Sequence, residues 1–268
     1  MKVTNQIILV TGGASGIGRA LCERFAAEGA RKIYVADLDE EKARAVAEAV
    51  GGAALRLDVA DESDCRLAVG EILEREGRLD FICSNAGIAG EEGSLEVSNE
   101  VWRKIYEINV LAHVFLARAA FPSMIERGRG AFLVTASAAG LLTHPTAAPY
   151  AATKHAARAL AENFALEFSE QGIYVSCLCP QGVKTPMIEC AENEPENFLM
   201  AEAITPEECA EAVVRALEEE RFLILPHTEV ADYVVKKAEN CERWLHSLRK
   251  IRRAVIDAKE NHAARAEK

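Results

Sequence analysis

The chain has 268 residues, of which half are hydrophobic and 6% aromatic, and its formal net charge is −11. This length and composition predict one large globular domain with an appendage rather than two domains. The excess of acidic side chains argues against sequence-independent nucleic-acid binding, which requires a basic face.

The sequence also argues against a membrane span and a metal site. No apolar run reaches the roughly 18 residues of a membrane-spanning helix. The first apolar run leads directly into a glycine turn, which favours a first strand over a signal peptide. The eight cysteines are scattered without C-x-x-C or zinc spacing, so we expect reduced thiols, a cytoplasmic location and no metal. Cys177 and Cys179 alternate on a predicted strand, where we expect one packed and one half-exposed thiol.

Short runs rich in Val, Ile and Leu alternate with longer helical stretches along the chain. Runs without polar alternation are typical of strands buried on both faces. Seven such runs separated by helices predict a doubly wound α/β fold, with a seven-stranded parallel sheet and helices on both faces. In chain order they are QIILVTG, KIYVADL, AALRLDV, LDFICSNAG, AFLVTAS, IYVSCLCP and FLILPH.

Residues 229–268 carry no strand signal and are predicted to form a C-terminal helical extension of the domain at residues 1–228. Trp244, Leu248, Ile251 and Val255 recur at helical spacing and form one apolar stripe, next to a cluster of basic residues. Such a helix could bind a membrane surface or a partner. We favour packing on its own subunit or a neighbour, near the substrate entrance or across a subunit interface, with the last residues from about Asn261 frayed.

The first predicted strand runs into the glycine-rich turn TGGASGIG at residues 11–18. Gly12, Gly16 and Gly18 allow the backbone to approach a pyrophosphate, and the N-terminus of the following helix points its free N–H groups at the phosphates. A glycine trio alone is weak evidence, but here a strand precedes it and a helix follows it. The turn therefore predicts a dinucleotide site of the Rossmann type.

Asp37 ends the second predicted strand, nineteen residues after Gly18. An acid about 20 residues after the turn can hydrogen-bond the adenosine ribose 2′-OH, and its charge repels a 2′-phosphate. Ser15 is neutral and offers that phosphate no cation, although Arg31 and Lys32 are nearby in sequence. We therefore predict NAD rather than NADP. The other interpretation of Asp37 is a solvated carboxylate at a strand end.

Tyr150 and Lys154 are four residues apart in the alanine-rich stretch PYAATKHAARAL, which favours helix. Residues i and i+4 share one helix face, so the phenol and the ammonium are neighbours. Tyrosine has an unperturbed pKa of about 10, and a nearby ammonium favours the phenolate. We therefore expect Lys154 to lower the pKa of Tyr150 and to let the tyrosine act as a general base.

Several further motifs follow the glycine turn in a fixed order. They are Asp58 in LDVAD, Asn85, Ala86 and Gly87 in SNAG, Asn109 in YEINV, Ser137 in LVTASAAG, Tyr150 and Lys154 as Y-x-x-x-K, and CPQGVKTPM after the sixth strand. Over roughly residues 5–227 this ordered set resembles the short-chain dehydrogenase/reductase family. The chain departs from the family pattern in two places: Gln181 follows Pro180, with the glycine displaced to Gly182, and the tail is longer than usual.

The resemblance implies hydride transfer between nicotinamide and a secondary alcohol or ketone, in a homodimer or homotetramer built on the long helices near residues 99–127 and 150–170. It implies Tyr150 as acid or base, Ser137 as the group that holds the substrate oxygen, Lys154 as a ligand of the nicotinamide ribose, and Asn109 as the holder of a water in line with Lys154. The implied cofactor contacts are Gly12, Ser15, Gly16, Ile17, Gly18, Asp37, Asp58, Val59, Asn85, Ala86, Gly87, Tyr150, Lys154, Pro180, Val183 and Thr185.

We therefore predict an NAD-dependent oxidoreductase for a small-molecule alcohol or carbonyl. Leu141, Leu142 and Met187 near the site favour an apolar substrate body. Two alternatives remain open. A 3-oxoacyl thioester reductase would more naturally use NADP and a basic surface, and a catalytically silent NAD-binding scaffold would be marked by a broken catalytic set.

Two features near the site have two interpretations each. His144 lies between Ser137 and Tyr150 and is either a substrate contact or a solvated loop histidine, which we favour. The acidic run ECAENEPEN at residues 189–197 is either a mobile lid over the substrate or a solvated loop.

Overall fold

The computed structural model describes residues 1–189 and 202–266, and its strands coincide with the seven predicted runs. The seventh strand is the shortest, because Pro226 follows it and cannot donate to the ladder. The strands are β1 (Ile7–Thr11), β2 (Lys32–Asp37), β3 (Ala53–Arg56), β4 (Phe81–Ser84), β5 (Gly130–Thr135), β6 (Ile173–Leu178) and β7 (Leu223–Ile224).

Helices occupy the connections between the strands, as parallel pairing requires. They are α1 (Gly16–Ala27), α2 (Glu40–Ala49), α3 (Glu62–Glu76), α4 (Asn99–Tyr106), α5 (Ala112–Glu126), α6 (Ala139–Leu142), α7 (Ala148–Phe168), α8 (Pro186–Glu189), α9 (Pro206–Glu218), α10 (Glu229–Glu239) and α11 (Cys241–Ala266). A π-helical segment, Glu107–Leu111, joins α4 to α5.

All seven strands of the described chain pair in parallel, in the order β3-β2-β1-β4-β5-β6-β7. The order reverses between β1 and β4. At this switch point the connections leave the carboxyl ends of the two strands in opposite directions, which opens a crevice at that edge of the sheet. The prediction of a doubly wound Rossmann-type fold is confirmed.

The core consists of two apolar layers, one on each face of the sheet. Along β1, Ile7 and Leu9 join one layer while Ile8 and Val10 join the other, and all four side chains are fully buried. This two-sided burial explains why the strand sequences show no polar alternation. Cys177 on β6 and Cys179 just after its end lie in the same layer and are both fully buried, so the expectation of one half-exposed thiol is wrong.

One helical stretch of 28 residues, Asn99–Glu126, contains a window long and apolar enough to cross a membrane, with a mean hydropathy of 1.4. Half of that window is buried inside the protein. The stretch packs against α3 and α7. These contacts are typical of a core helix in a globular domain.

The C-terminal extension is helical, as predicted, and consists of α10 and α11, which pack against each other. The helix α11 continues through Ala266, so the expected fraying from Asn261 is not seen in its backbone. The predicted acidic lid at residues 189–197 falls, beyond Glu189, outside the described residues.

Candidate active site

A cavity of about 950 Å³ opens at the carboxyl edge of the sheet, at the switch point between β1 and β4. Its lining comes from the glycine turn, from the loops after the strands, from the start of α7 and from α11. All predicted site residues reach this lining except Gly18 and Asn109. The fold therefore brings motifs that are far apart in sequence to one place.

The glycine turn forms one end of the cavity. Gly12 and Gly16 have φ angles of +63° and +50°, which L side chains rarely adopt. A Cβ on Gly18 would collide with the carbonyl oxygen of Gly12, so Gly18 permits the tight turn without lining the cavity. Ser15 precedes α1 and makes no side-chain cap, and Ile17 lies in the first turn of the helix. The uncapped helix N-terminus at the cavity fits the pyrophosphate of a dinucleotide.

Asn85 ties three strand ends together beside this turn. Its backbone N–H donates to Thr11 Oγ1 at 3.0 Å, and its side-chain amide donates to the Thr11 carbonyl at 3.0 Å. Its amide oxygen accepts from Thr135 Oγ1 at 3.1 Å. These bonds join the ends of β1, β4 and β5, and they hold the neighbouring Ala86 and Gly87 at the cavity surface.

The ends of β2 and β3 supply carboxylates. Asp37 is half-buried and accepts hydrogen bonds from the backbone N–H groups of Ala14 and Asp39, both at 3.1 Å. Asp58 accepts from the backbone N–H of Ala60 at 3.0 Å, and Val59 beside it lines the cavity. Asp37 is thus fixed at the cavity edge and is not a freely solvated carboxylate.

Cations near Asp37 are engaged elsewhere. Lys32 donates to the carbonyl of Gly52 at 2.9 Å. Lys42 pairs with Asp39 at 2.7 Å, and Arg56 lies 3.6 Å from Asp64. Among the described residues that line the cavity, Lys154 is the only lysine or arginine.

Lys154 lies on α7, one turn after Tyr150. Only 3% of Lys154 is exposed, and its ammonium donates to the carbonyl of Thr135 at 2.9 Å. Burial lowers the pKa of Lys154 to about 8. The Nζ atom lies 5.7 Å from the centre of the Tyr150 ring, within the range of a cation–π contact.

The Tyr150 hydroxyl lies beside the hydroxyl of Ser137, within reach of a hydrogen bond, and Ser137 Oγ accepts from the backbone N–H of Ala139 at 3.1 Å. Burial raises the pKa of Tyr150, and the Ser137 hydrogen bond acts in the opposite direction. The net pKa of Tyr150 in this chain is therefore raised, whereas we expected it to be lowered. The physical reason is that desolvation outweighs the favourable contacts, while the ammonium of Lys154 is directed at the Thr135 carbonyl.

Asn109 lies behind the cavity wall, in the π-helical segment, and is fully buried. Its Oδ1 accepts from the backbone N–H of Ile88 at 2.9 Å, and its Nδ2 donates to the Ile88 carbonyl at 2.9 Å. The same Nδ2 donates to Thr153 Oγ1 at 3.2 Å. Asn109 thus fixes the loop that follows β4 against α7.

The loop after β6 closes the cavity next to the glycine turn. Pro180, Val183 and Thr185 all line it. A Cβ on Gly16 would come within 2.9 Å of the Thr185 methyl group, so the two loops are in close contact. At the family departure, the backbone N–H of Gln181 donates to Nδ1 of the buried His227 at 3.2 Å, a contact that the sequence did not indicate.

The sequence left two interpretations of His144 open, a substrate contact and a solvated loop histidine. It lines the cavity, and its ring stands edge-on to the Tyr150 ring with centroids 6.3 Å apart. Its Nδ1 accepts from the backbone N–H groups of Thr146 and Ala147, at 3.3 and 3.1 Å. Burial lowers the pKa of His144. The favoured interpretation as a solvated loop histidine is therefore wrong.

The C-terminal extension forms the wall that faces the reactive side chains. All four residues of the predicted apolar stripe line the cavity, together with Tyr233 of α10. Trp244 Nε1 donates to the carbonyl of Leu142 at 3.3 Å, and the Trp244 and Tyr233 rings are 6.2 Å apart. The helix therefore packs on its own subunit at the wall of this cavity, while a place at the substrate entrance or across a subunit interface stays a prediction.

The chain is similar to known dehydrogenases over most of its length. The family model described as short chain dehydrogenase matches residues 6–196. The chain is 34% identical over 237 residues to 1-deoxy-11-beta-hydroxypentalenate dehydrogenase from Streptomyces exfoliatus, over 85% of this chain and 86% of the relative. It is 35% identical over 235 residues to cyclopentanol dehydrogenase from a Comamonas species, over 83% and 94% of the two chains.

Solved structures show the same likeness. A crystal structure of a short chain dehydrogenase/reductase from Burkholderia phymatum in complex with NAD superposes with a TM-score of 0.80 at 28% identity. The match covers 90% of this chain and 96% of that chain.

Proposed function

Because the chain belongs to the short-chain dehydrogenase/reductase family of oxidoreductases, we propose that it is an NAD-dependent enzyme for secondary alcohols and ketones with an apolar body. One observation carries the proposal: Ser137, Tyr150 and Lys154 line the same cavity as the glycine turn, and Asn109 lies directly behind them. The names of the relatives, which include cyclopentanol dehydrogenase, agree with an alcohol substrate. A cytoplasmic homodimer or homotetramer is part of the same proposal.

The preference for NAD rests on charge at the adenosine end of the cavity. The Asp37 carboxylate is held there by two backbone N–H groups, and Asp58 adds a second negative charge nearby. A ribose 2′-phosphate would need a cation, and the described lining has none besides the distant Lys154. The Burkholderia relative was solved with NAD, which supports the same choice.

Tyr150 acts as the general base in oxidation and as the general acid in reduction. In the oxidation direction its phenolate accepts the proton of the substrate hydroxyl, and in the reduction direction its phenol returns that proton to the carbonyl oxygen. Ser137 Oγ holds the substrate oxygen and stabilises the charge that develops on it. Bound NAD would supply the hydride acceptor and, as the oxidised nicotinamide ring, a positive charge that favours the phenolate.

Lys154 and Asn109 act around this tyrosine. The buried Lys154 ammonium lies close to the Tyr150 ring, and its positive charge offsets part of the cost that burial adds to ionising the phenol. Asn109 is a positioning residue, since its amide holds the main chain of Ile88 and leaves the adjacent Gly87 at the cavity surface. Both roles are consistent with a proton path that leads from Tyr150 past Lys154.

A direct experiment tests the proposal. The purified protein is mixed with a panel of secondary alcohols and NAD or NADP, and separately with ketones or a 3-oxoacyl thioester and NADH or NADPH, and the absorbance of the reduced cofactor is followed. We expect turnover with NAD and slower turnover with NADP. If the protein binds NAD but turns over neither alcohols nor ketones, the silent-scaffold alternative replaces the proposal, and a preference for NADP with a 3-oxoacyl thioester supports the reductase alternative.

A further inference from the structure

The apolar stripe of α11 is left open to the cavity. Val255 is buried, Trp244 and Leu248 are half-buried, and Ile251 remains 37% exposed although all four line the cavity. An amphipathic helix normally buries its apolar stripe against the core of its own domain. Here Trp244 packs against the edge of the core, and the stripe as a whole lines the cavity that Tyr150 also lines. Partly open apolar surface in a groove is typical of a ligand-binding site.

The other faces of α11 show that this orientation is specific. Arg249, Lys250 and Arg253 are exposed, as a solvated helix face requires. Leu245 is the neighbour of Trp244 in sequence but is 42% exposed and lies outside the cavity lining. The stripe therefore turns toward the cavity while its flanks turn toward solvent.

Polar contacts join α11 to the segment that leads into α7, two of them directly and one through Glu92. Trp244 Nε1 donates to the Leu142 carbonyl at 3.3 Å, and Arg252 Nη1 donates to the Pro145 carbonyl at 3.1 Å. Further along the helix, Lys259 pairs with Glu92 at 2.6 Å, and the other oxygen of Glu92 accepts from Thr146 Oγ1 at 3.0 Å. Because this segment ends at the first turn of α7, these contacts fix the distance between the stripe and Tyr150.

The charged residues of the cavity lining favour a substrate without a negative charge. The described lining holds no lysine or arginine other than Lys154, which is directed at the Thr135 carbonyl. Glu91, Glu92 and Glu202 also belong to the lining, and Glu92 is paired with Lys259. An anionic group on the substrate would meet carboxylates and would find no free cation.

We propose that the α11 stripe is the specificity subsite of this enzyme, and that it selects neutral secondary alcohols whose carbinol carbon carries a bulky alicyclic or aryl group. The inference rests on the proposed function, because it assumes that Tyr150 marks the position of the carbinol. In this arrangement the bulky group lies against Trp244, Leu248 and Ile251 while the hydroxyl points to Ser137 and Tyr150. Burial of apolar substrate surface against the stripe then provides the selectivity.

A kinetic comparison tests the subsite. The two substrates are 2-propanol and 1-cyclohexylethanol, which share the carbinol and one methyl group but differ in the second substituent. A single methylene in an apolar pocket is typically worth about 10- to 200-fold in kcat/KM. We therefore expect Trp244→Ala to lower kcat/KM for 1-cyclohexylethanol by at least about tenfold relative to that for 2-propanol. Leu245→Ala, on the solvent side of the same helix, is the matched control and should leave both values unchanged.

Trp244→Phe is the control for misfolding. It keeps an aromatic ring in place, so it should retain most of the preference for 1-cyclohexylethanol over 2-propanol. Equal losses for both alcohols in Trp244→Ala, or no loss for either, would overturn the subsite while leaving the proposed function in place. The subsite would also be overturned if Leu245→Ala lowered the kcat/KM ratio of the two alcohols as much as Trp244→Ala does.

A fluorescence titration is independent of hydride transfer. The chain has two tryptophans, so Trp102→Phe leaves Trp244 as the only one. Trp102 lies outside the cavity lining. We expect 1-phenylethanol to change the Trp244 emission in a saturable way, and 4-(1-hydroxyethyl)benzoate, which adds a carboxylate, to bind at least about tenfold more weakly.

The kinetic comparison and the fluorescence titration together distinguish failure of the proposed function from failure of the subsite. A saturable emission change without turnover of any alcohol would contradict the proposed function, and the stripe would then be a binding site for neutral apolar alcohols rather than the specificity subsite of an enzyme. Turnover without any emission change would sink the subsite alone. If Trp244 instead responds to anionic vesicles or to protein concentration, and not to the alcohol, the stripe is a membrane or subunit contact and the inference is wrong.

Discussion

The side chains of Asn109 and Lys154 approach each other across the backbone of Gly87. A Cβ placed on Gly87 would lie 3.1 Å from Asn109 Oδ1 and 3.3 Å from Lys154 Nζ. The absent side chain of Gly87 therefore leaves a polar space between an amide oxygen and an ammonium. A water in this space would connect the two groups, as the family resemblance implies for Asn109.

Gly87→Ala fills that space with a methyl group and should interrupt the proton path. We expect kcat for alcohol oxidation to fall by more than about tenfold but by less than the about 10²–10⁴-fold typical of losing an acid–base group. NAD affinity, measured by calorimetry, should change much less. Gly70→Ala is the control, because nothing lies within 4 Å of a Cβ there. An unchanged kcat in Gly87→Ala would show that the space has no role in proton transfer.

Asp37→Ala should weaken NAD binding and relax the discrimination against NADP. A hydrogen bond to a charged group contributes about 1.5–3 kcal/mol, so the dissociation constant for NAD should rise roughly 10- to 100-fold. Steady-state kinetics with both cofactors measures the ratio. Glu41→Ala removes the same charge from an exposed helix position and should alter neither cofactor's constants. A native protein that already prefers NADP would contradict this interpretation of Asp37.

The buried Lys154 should make stability depend on pH in the alkaline range. Its pKa falls from 10.5 to about 8 in the folded chain because of burial. Between about pH 8 and 10.5 the unfolded state therefore binds more protons than the native state, and the free energy of unfolding rises with pH through this window.

Lys154→Met removes this titration. In urea denaturation, the native protein should gain stability relative to the variant between about pH 8 and 10.5, and the difference should be flat at lower pH. The same substitution at the exposed Lys104 should give a curve parallel to that of the native protein. Parallel curves for Lys154→Met as well would mean that Lys154 keeps its ordinary pKa.

Oligomer formation is expected on the outer face of α7. Leu166 on this helix is 79% exposed, which is unusual for a large apolar side chain on a core helix. Closed symmetric assemblies bury such surfaces. Light scattering at micromolar concentration should give a dimer or tetramer, and Leu166→Arg should shift the mass toward the monomer, whereas Leu67→Arg on α3 should not. A monomer mass for the native protein would contradict the expectation.

The sequence predicted the strands and the glycine turn well because their signals are local. Ile7, Leu9 and their neighbours form an unbroken apolar run, and Gly12 and Gly16 require positive φ angles that few other residues adopt. The helical stripe of Trp244 and Val255 was visible for the same reason. Its partner could not be read from the sequence, because that depends on how the chain returns to the edge of the sheet.

Burial and electrostatics were the least predictable features. Cys179 is fully buried because neighbouring elements cover β6, and no local pattern reveals that cover. The pKa of Tyr150 depends on desolvation by distant segments, so the simple pairing with Lys154 gave the wrong sign for the chain alone. His144 was misjudged in the same way, since its contact with the Tyr150 ring arises only in the folded loop.

The substitution Tyr150→Phe tests most directly whether Tyr150 is the acid–base group. It keeps the ring and removes only the hydroxyl, which lies beside Ser137. With a secondary alcohol that the native protein oxidises, we expect kcat to fall by about 10²–10⁴-fold while the dissociation constant for NAD, measured in parallel, stays within a few-fold of the native value. Turnover close to that of the native protein, with NAD still bound, would contradict the assignment of Tyr150 as the acid–base group.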